Sequence, residues 1–379
     1  MIVGIDASRN HSWGAIVHIV GILNNFDSNK NEIRFIHIWT HDHLAKLIPE
    51  RPWLKVHTPR ELRKSLFSQI VWQALVLPKL LKSNNCDLLF TSDAGSFCRF
   101  FPNVVLSQDL LPFETGEAKR LGWGLARWRV LALRFVQASA MKRAVGIIFL
   151  TEYASDLITS KLNLKSFSKV IQHGIDEEFK SHQNSFQRNP NMLAQGQINC
   201  VYVSNVDEYK HQWHVVEAIA FMRGKGYDVN LTLIGDNSNH SSGRLGKAIL
   251  EHDPEGNFVD LKGHLTRDEL RNELCSKEIF IFASSCESLP ITLLEGMAFG
   301  FPIAASRKGP MPELLGSDAC YFDPEIPEDI AKALIDLITD KKFAKTCASA
   351  VMKKSKLYHW KICAEQTFSF LSEIGKNYK

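Results

Sequence analysis

Short runs of four to six apolar residues alternate along this chain with longer stretches whose apolar positions recur every three or four residues, the pattern of parallel strands joined by crossover helices. In the first half the runs predict strands at 2–5, 33–38, 88–91, 104–107, 145–150 and 170–172, with only a short loop between the third and the fourth. A polar stretch at 180–197, holding Asn, Gln, Ser, Gly and Pro with few apolar anchors, reads as a connector. A second series predicts strands at 200–203, 229–234, 258–261, 279–283 and 302–305, separated throughout by helical segments. From Pro327 the pattern turns helical, with Ile330, Leu334, Leu337 and Ile338 on one stripe, then helices from Phe343 and over 359–374. The expectation is two doubly wound α/β domains, 1–179 and 198–355, and a helical tail, 356–379.

At 379 residues the chain exceeds what one hydrophobic core usually supports, which agrees with two domains. Its eight cysteines form no C-x-x-C pair and no regular spacing, against both a zinc site and a disulfide framework. The start, Met1 to Asp6, has no basic segment leading a long apolar one, and no run of 18 apolar residues occurs. A cytoplasmic protein is therefore expected. Charge is uneven: residues 1–175 hold 22 Lys and Arg against 13 Asp and Glu, the remainder 23 against 28. A basic first half suits an anionic membrane face or a phosphorylated acceptor, and equally an ordinary solvated surface.

Several common chemistries are absent. No Asp-x-Asp, His-Glu-x-x-His, G-x-G-x-x-G or G-x-x-x-x-G-K-[ST] occurs, so a metal-bound sugar nucleotide, a zinc protease, a nicotinamide dehydrogenase and a P-loop NTPase are all disfavoured. His41, Asp42 and His43 read as neighbouring surface side chains. No metal and no nucleic acid is expected as a partner.

The richest stretch is 284–306, S-S-C-E-S-L-P-I-T-L-L-E-G-M-A-F-G-F-P-I-A-A-S. It follows an apolar strand, opens a helix at about Thr292, closes it near Gly300 and enters another strand at Pro302. Helix N-termini beyond parallel strands attract anions, because unpaired backbone N–H groups and the helix dipole point there. Glu287 lies in the strand-to-helix loop, where a carboxylate can accept hydrogen bonds from sugar hydroxyls. Glu295 has two readings: a ligand-binding carboxylate, or a capping box with Thr292 three residues earlier.

The spacing Glu287-x7-Glu295, followed by Met297-Ala298, Gly300 and Pro302, resembles the signature of the large retaining glycosyltransferase family that includes sucrose synthase, glycogen synthase and bacterial lipopolysaccharide mannosyltransferases. That resemblance implies the GT-B fold, two facing Rossmann-like domains with a C-terminal helix crossing back to the first. It implies that Glu287 contacts the transferred sugar and Glu295 the nucleotide ribose. Members carry a glycine-rich turn after the first glutamate, where this chain has Ser288, Leu289 and Pro290, and proline donates no backbone hydrogen bond.

The resemblance continues through 201–210, V-Y-V-S-N-V-D-E-Y-K, which looks like the family's strand, loop and diphosphate-binding lysine. A departing nucleoside diphosphate builds negative charge, and without a metal a fixed cation must stabilise it. Lys210 fits that role, aided by Ser204 or by Asn205, which stands where members commonly have arginine. Taken alone, Lys210 also reads as a solvated loop lysine. Gly235-Asp236 and Gly263-His264 resemble the turns beside the nucleotide and its base, and 12–15, S-W-G-A, resembles the family's short glycine loop, with Gly14 allowing close backbone approach to the phosphates. His173-Gly174-Ile175-Asp176 is similar to the family's interdomain turn. At 107–112, S-Q-D-L-L-P, Gln108 occupies the place of a usual histidine and Asp109 remains as the acceptor-side candidate, or as a turn former.

Residues 119–143 mix Lys119, Arg120, Arg127, Arg129 and Arg134 with Trp123 and Trp128. They read either as a core helix with solvated arginines or as a surface for anionic headgroups or a lipid pyrophosphate. What the family implies for the whole chain is metal-independent transfer of a hexose, with retention, from a GDP- or UDP-linked donor to a polyprenyl-linked or glycan acceptor in surface polysaccharide synthesis, such as lipopolysaccharide O-antigen or capsule. Mannose is the first choice of sugar. A nucleotide-sugar epimerase and a non-catalytic sugar-nucleotide or glycan-binding subunit are the alternatives, the latter suggested by Asn205, Pro290 and Gln108.

Overall fold

The computed structural model describes residues 1–28, 32–180, 196–238 and 241–378, so nearly all of the connector read at 180–197 lies outside the described residues. The chain divides into two compact units, Met1–Gly174 with His359–Lys379, and Ile175–Tyr358. Residues 175–179, assigned above to the first domain, pack in the second unit: Ile175 N donates to Tyr358 O at 3.2 Å, and the Phe179 ring lies 5.9 Å from that of Phe299.

The first unit contains β1 (Ile2–Ala7), β2 (Phe35–Thr40), β3 (Leu54–His57), β4 (Leu88–Thr91), β5 (Asn103–Ser107), β6 (Gly146–Phe149) and β7 (Phe167–Val170). They form one parallel sheet in the order β3-β2-β1-β4-β5-β6-β7, with Ile5 in register with Ile38 on one side and Phe90 on the other. The second unit contains β8 (Ile198–Val203), β9 (Val229–Ile234), β10 (Val259–Gly263), β11 (Ile279–Phe282), β12 (Ile303–Ser306) and β13 (Cys320–Phe322), in the parallel order β10-β9-β8-β11-β12-β13. Winding reverses between β1 and β4 and again between β8 and β11. At such a switch the connections leave in opposite directions and open a crevice at the carboxyl ends of the two strands.

Central strands are buried on both faces, which is why they read as unbroken apolar runs. Edge strands are not. β3 is half-buried, β7 is largely exposed and β13 has three residues, so the apolar pattern omits β3 and β13 and places β7 three residues late.

The helix Trp360–Asn377 belongs to the first unit. Its leading tryptophan is seated between two glycines: a Cβ on Gly21 would lie 2.4 Å from the Trp360 ring, and one on Gly174 2.2 Å from Trp360 N. Any side chain at either position would displace the helix. Beside this wedge His18 Nδ1 and His173 Nδ1 lie 2.8 Å apart, and burial pushes the His18 imidazole well down and that of His173 to about 3. Both rings are therefore neutral, one donating to the other.

Candidate functional site

The loop after β8 is shaped by hydrogen bonds from both backbone and side chains. Lys210 closes a short 3-10 turn, Glu208–Lys210, whose lead residue Asp207 accepts from Glu208 N at 2.7 Å. Tyr209 O accepts from Ser285 N at 2.8 Å, and Lys210 O accepts from the Tyr202 hydroxyl at 2.8 Å. His211 follows at φ +56°, buried, with Nε2 3.0 Å from Ser285 Oγ. These contacts fasten the loop after β8 to the loop after β11 and aim the lysine across the switch point. Its ammonium lies 4.9 Å from the Tyr209 ring centre and 5.8 Å from that of Phe282.

Lys210 Nζ meets Glu287 Oε1 in a charge-assisted hydrogen bond. Two residues 77 positions apart, singled out separately in the sequence, are thus in direct contact. Both side chains are largely but not wholly covered, at 13% and 14% exposure, so an incoming ligand can reach them. Ser288, Leu289 and Pro290 are buried behind Glu287, and Pro290 leads the helix Ile291–Ala298. Gly309, in the turn after β12, has φ +64°, and its Cβ position is 3.8 Å from Glu287 N. The backbone beneath Glu287 therefore rests on a turn that favours glycine.

On the other side of β8, Gly235 has φ +146°, and a Cβ there would stand 2.2 Å from Ser204 O. Asn205 Oδ1 accepts from Asp236 N at 3.1 Å, Asn205 O accepts from Gln212 Nε2 at 2.9 Å, and Ser204 Oγ donates to Asn205 O at 3.1 Å. Asn205 thus holds two strand ends together as well as standing at the crevice. His264 is exposed beyond Gly263, which has φ +67°.

Glu295 is not part of a capping box. The helix starts at Ile291, Thr292 is half-buried and no side chain caps the first turn, while Glu295, 5% exposed, turns to Arg267 with Oε1 accepting from NH2 at 2.9 Å. Capping fails because the N-cap is Pro290, two residues before Thr292, so Thr292 falls inside the helix. Burial pushes the Glu295 carboxyl up to about 7, and the Arg267 guanidinium works against that rise. Arg267 also pairs with Asp176 and lies over the Phe179 ring at 5.3 Å. It occupies the first position of the helix Arg267–Leu274, whose start is set by a true capping box between Thr266 and Glu269.

In the first unit, Ser12 caps the helix Trp13–Asn24 by accepting from Ala15 N at 3.4 Å, so Gly14 lies inside the first helical turn and not in a loop ahead of it. Asp109 Oδ1 accepts from Leu111 N at 3.0 Å and Oδ2 from Gln137 Nε2 at 3.4 Å, the bonding of a turn-forming aspartate. Burial lifts its carboxyl to about 6. His41 caps the short helix Asp42–Ala45, and Asp42 pairs with Arg63, which accounts for two members of the His41–His43 cluster.

Four supporting residues escaped the sequence reading: Tyr202, His211, Arg267 and Gly309. Only Gly309 carried a local signal, a Gly-Pro turn directly after a strand. The others act through partners 8, 74 and 28 residues away, which no local spacing displays.

Residues 183–354 match the family Glycosyl transferases group 1, a stretch that lies within the second unit. A glycosyltransferase of uncharacterized specificity from Methanocaldococcus jannaschii is 24% identical over 242 residues, 62% of this chain and 65% of that protein. A GDP-mannose-dependent phosphatidylinositol dimannoside mannosyltransferase of Mycobacterium tuberculosis is 24% identical over 181 residues, 47% of this chain and 44% of the enzyme. These matches cover less than two thirds of either relative. Among solved structures, sucrose-phosphate synthase from Thermosynechococcus elongatus superposes with a TM-score of 0.78 at 15% identity, covering 100% of both chains. Anabaena HepE in complex with UDP and glucose superposes with a TM-score of 0.72 at 17% identity, covering 98% of this chain and 100% of its own. The fold is GT-B, with two parallel Rossmann-like sheets.

Proposed function

We propose that this chain is a glycosyltransferase that takes a hexose from a nucleotide-sugar donor and passes it, with retained configuration, to a lipid-linked or glycan acceptor in surface polysaccharide synthesis. The observation that carries the reading is the Lys210–Glu287 pair at the switch point of the second unit. In this structure each charge neutralises the other. When donor enters, the flexible lysine stem swings its ammonium to the diphosphate, and the Glu287 carboxylate accepts from the sugar hydroxyls. Glu295 receives the ribose hydroxyls. Ser204, Asn205, Gly235, His264, Ser288, Leu289 and Thr292 border the donor.

In the reaction the acceptor oxygen forms a bond to the anomeric carbon as the bond from that carbon to the diphosphate oxygen breaks on the same face. The acceptor proton passes to the leaving phosphate. Lys210 stabilises the charge that collects there, which removes the need for a metal. GDP-mannose is the first donor to test, given the mannosyltransferase relative, and a UDP-hexose the second, given the UDP bound by HepE.

A thermal-shift panel of nucleoside diphosphates and their sugars tests the reading. A ligand present at a hundred times its Kd raises apparent stability by about 2.7 kcal/mol, enough to separate one base from the others. Glu287→Ala is expected to stay folded, with a modest stability loss on the order of 2 kcal/mol because Lys210 then lacks its partner, and to release nucleotide at least about a hundredfold more slowly. Full turnover in that variant sinks the assignment.

A further inference from the structure

Among the described residues, exposed large hydrophobic side chains are concentrated in the first unit, sixteen there against five in the second. Five of the sixteen fall within thirteen residues. Trp123, Leu125, Trp128, Leu131 and Phe135 are 82%, 89%, 61%, 37% and 77% exposed. On the helix Leu125–Arg143, positions 125, 128, 131 and 135 fall along one stripe. Val130, Gln137, Ala140 and Met141 are buried on the opposite face and anchor the helix to its unit. The helix is thus apolar on two sides, only one of which the fold covers.

The charges are arranged around the uncovered stripe. By helical period, Arg127 and Arg134 flank one side of it and Arg129 the other, and Arg127 stands over the Trp123 ring at 4.3 Å. Between Ala118 and Arg143 there are seven Lys and Arg and no Asp or Glu. A second copy seated on this stripe by twofold symmetry would bring arginine against arginine, with no carboxylate on the segment to relieve it. An anionic lipid surface meets both demands: its acyl boundary accepts tryptophan, leucine and phenylalanine, and its headgroups accept the flanking guanidinium groups. Among the described residues no helix is long and apolar enough to cross a membrane, and an exposed apolar stripe along one side suits a helix lying in the plane of a surface.

We propose that the Trp123–Phe135 face docks the first unit reversibly on an anionic bilayer, independently of what the second unit binds. The face then holds the protein where a lipid-linked acceptor resides.

Flotation of the full chain with phosphatidylglycerol–phosphatidylcholine vesicles, beside pure phosphatidylcholine vesicles, tests this. Binding is expected to the anionic vesicles only and to weaken with salt. Trp128→Ser with Phe135→Ser is expected to abolish flotation, and reversing Arg127, Arg129 and Arg134 to glutamate to weaken it by at least about a hundredfold. Because all of these side chains point away from the core, circular dichroism and melting of the variants are expected to match the parent. Failure of the parent to float overturns the proposal. So does equal binding to neutral vesicles, or a parent dimer in solution that the Trp128→Ser, Phe135→Ser change converts to monomer.

Discussion

The two sheets reverse their winding at equivalent places, yet the crevices they create differ in chemistry. In the first unit the carboxylate at the end of β1, Asp6, is used up internally. Oδ1 accepts from Ser8 N at 3.1 Å and Ser8 Oγ at 2.6 Å, and Oδ2 from Gln73 Nε2 at 3.0 Å and Ser96 Oγ at 2.7 Å. All of these groups are buried. In the second unit the charges at the switch point, Lys210 and Glu287, face each other and remain partly reachable. The same topology therefore yields a self-satisfied polar core in one place and an exchangeable ion pair in the other. The topology supplies the crevice, and the side chains decide whether a ligand can compete for it.

The sharpest way to break this comparison is through activity. Lys210→Ala is expected to slow transfer by about a hundred- to a thousandfold, through loss of the cation at the leaving diphosphate. Stability would fall modestly, on the order of 2 kcal/mol, because Glu287 then lacks its partner. Kinetics of nucleotide release alongside urea unfolding separate the two effects. A large stability loss with unchanged turnover would make the pair structural, like Asp6.

Asp6→Ala is the mirror experiment. Four buried donors lose their acceptor, and a loss of about 3 kcal/mol, read as a lower denaturant midpoint, is expected. Donor binding by the second unit, followed by titration below the new midpoint, should not change. A drop in donor affinity would mean that the first crevice is not merely structural.

Arg267→Ala sharpens the comparison by a smaller effect. A carboxyl raised to about 7 by burial binds its proton more tightly folded than unfolded, so the stability it governs declines as pH rises from the ordinary glutamate range to about 7, then levels off. Removing the guanidinium takes away the influence that opposes the rise, and the decline should continue to higher pH. Melting temperatures between pH 5 and pH 9 for parent and variant check this. Parallel profiles would show that Arg267 does not control Glu295.

The sequence by itself determined the periodicities: alternating apolar runs and helical stretches dictated two parallel sheets, since such runs form only where helices cover both faces. It also placed Glu287 in a strand-to-helix loop where a carboxylate can bind, whereas Lys210, taken alone a solvated loop lysine, became a candidate only through the family resemblance. Tertiary structure decided the pairings. Whether Glu295 capped its own helix or reached Arg267 depended on where Pro290 set the first turn, and whether Trp128 and Phe135 were core or surface depended on which face of their helix the sheet covered. Edge strands β3 and β13 were settled at the same level, because a half-exposed strand keeps no apolar run to announce it and exists only through its neighbour's backbone.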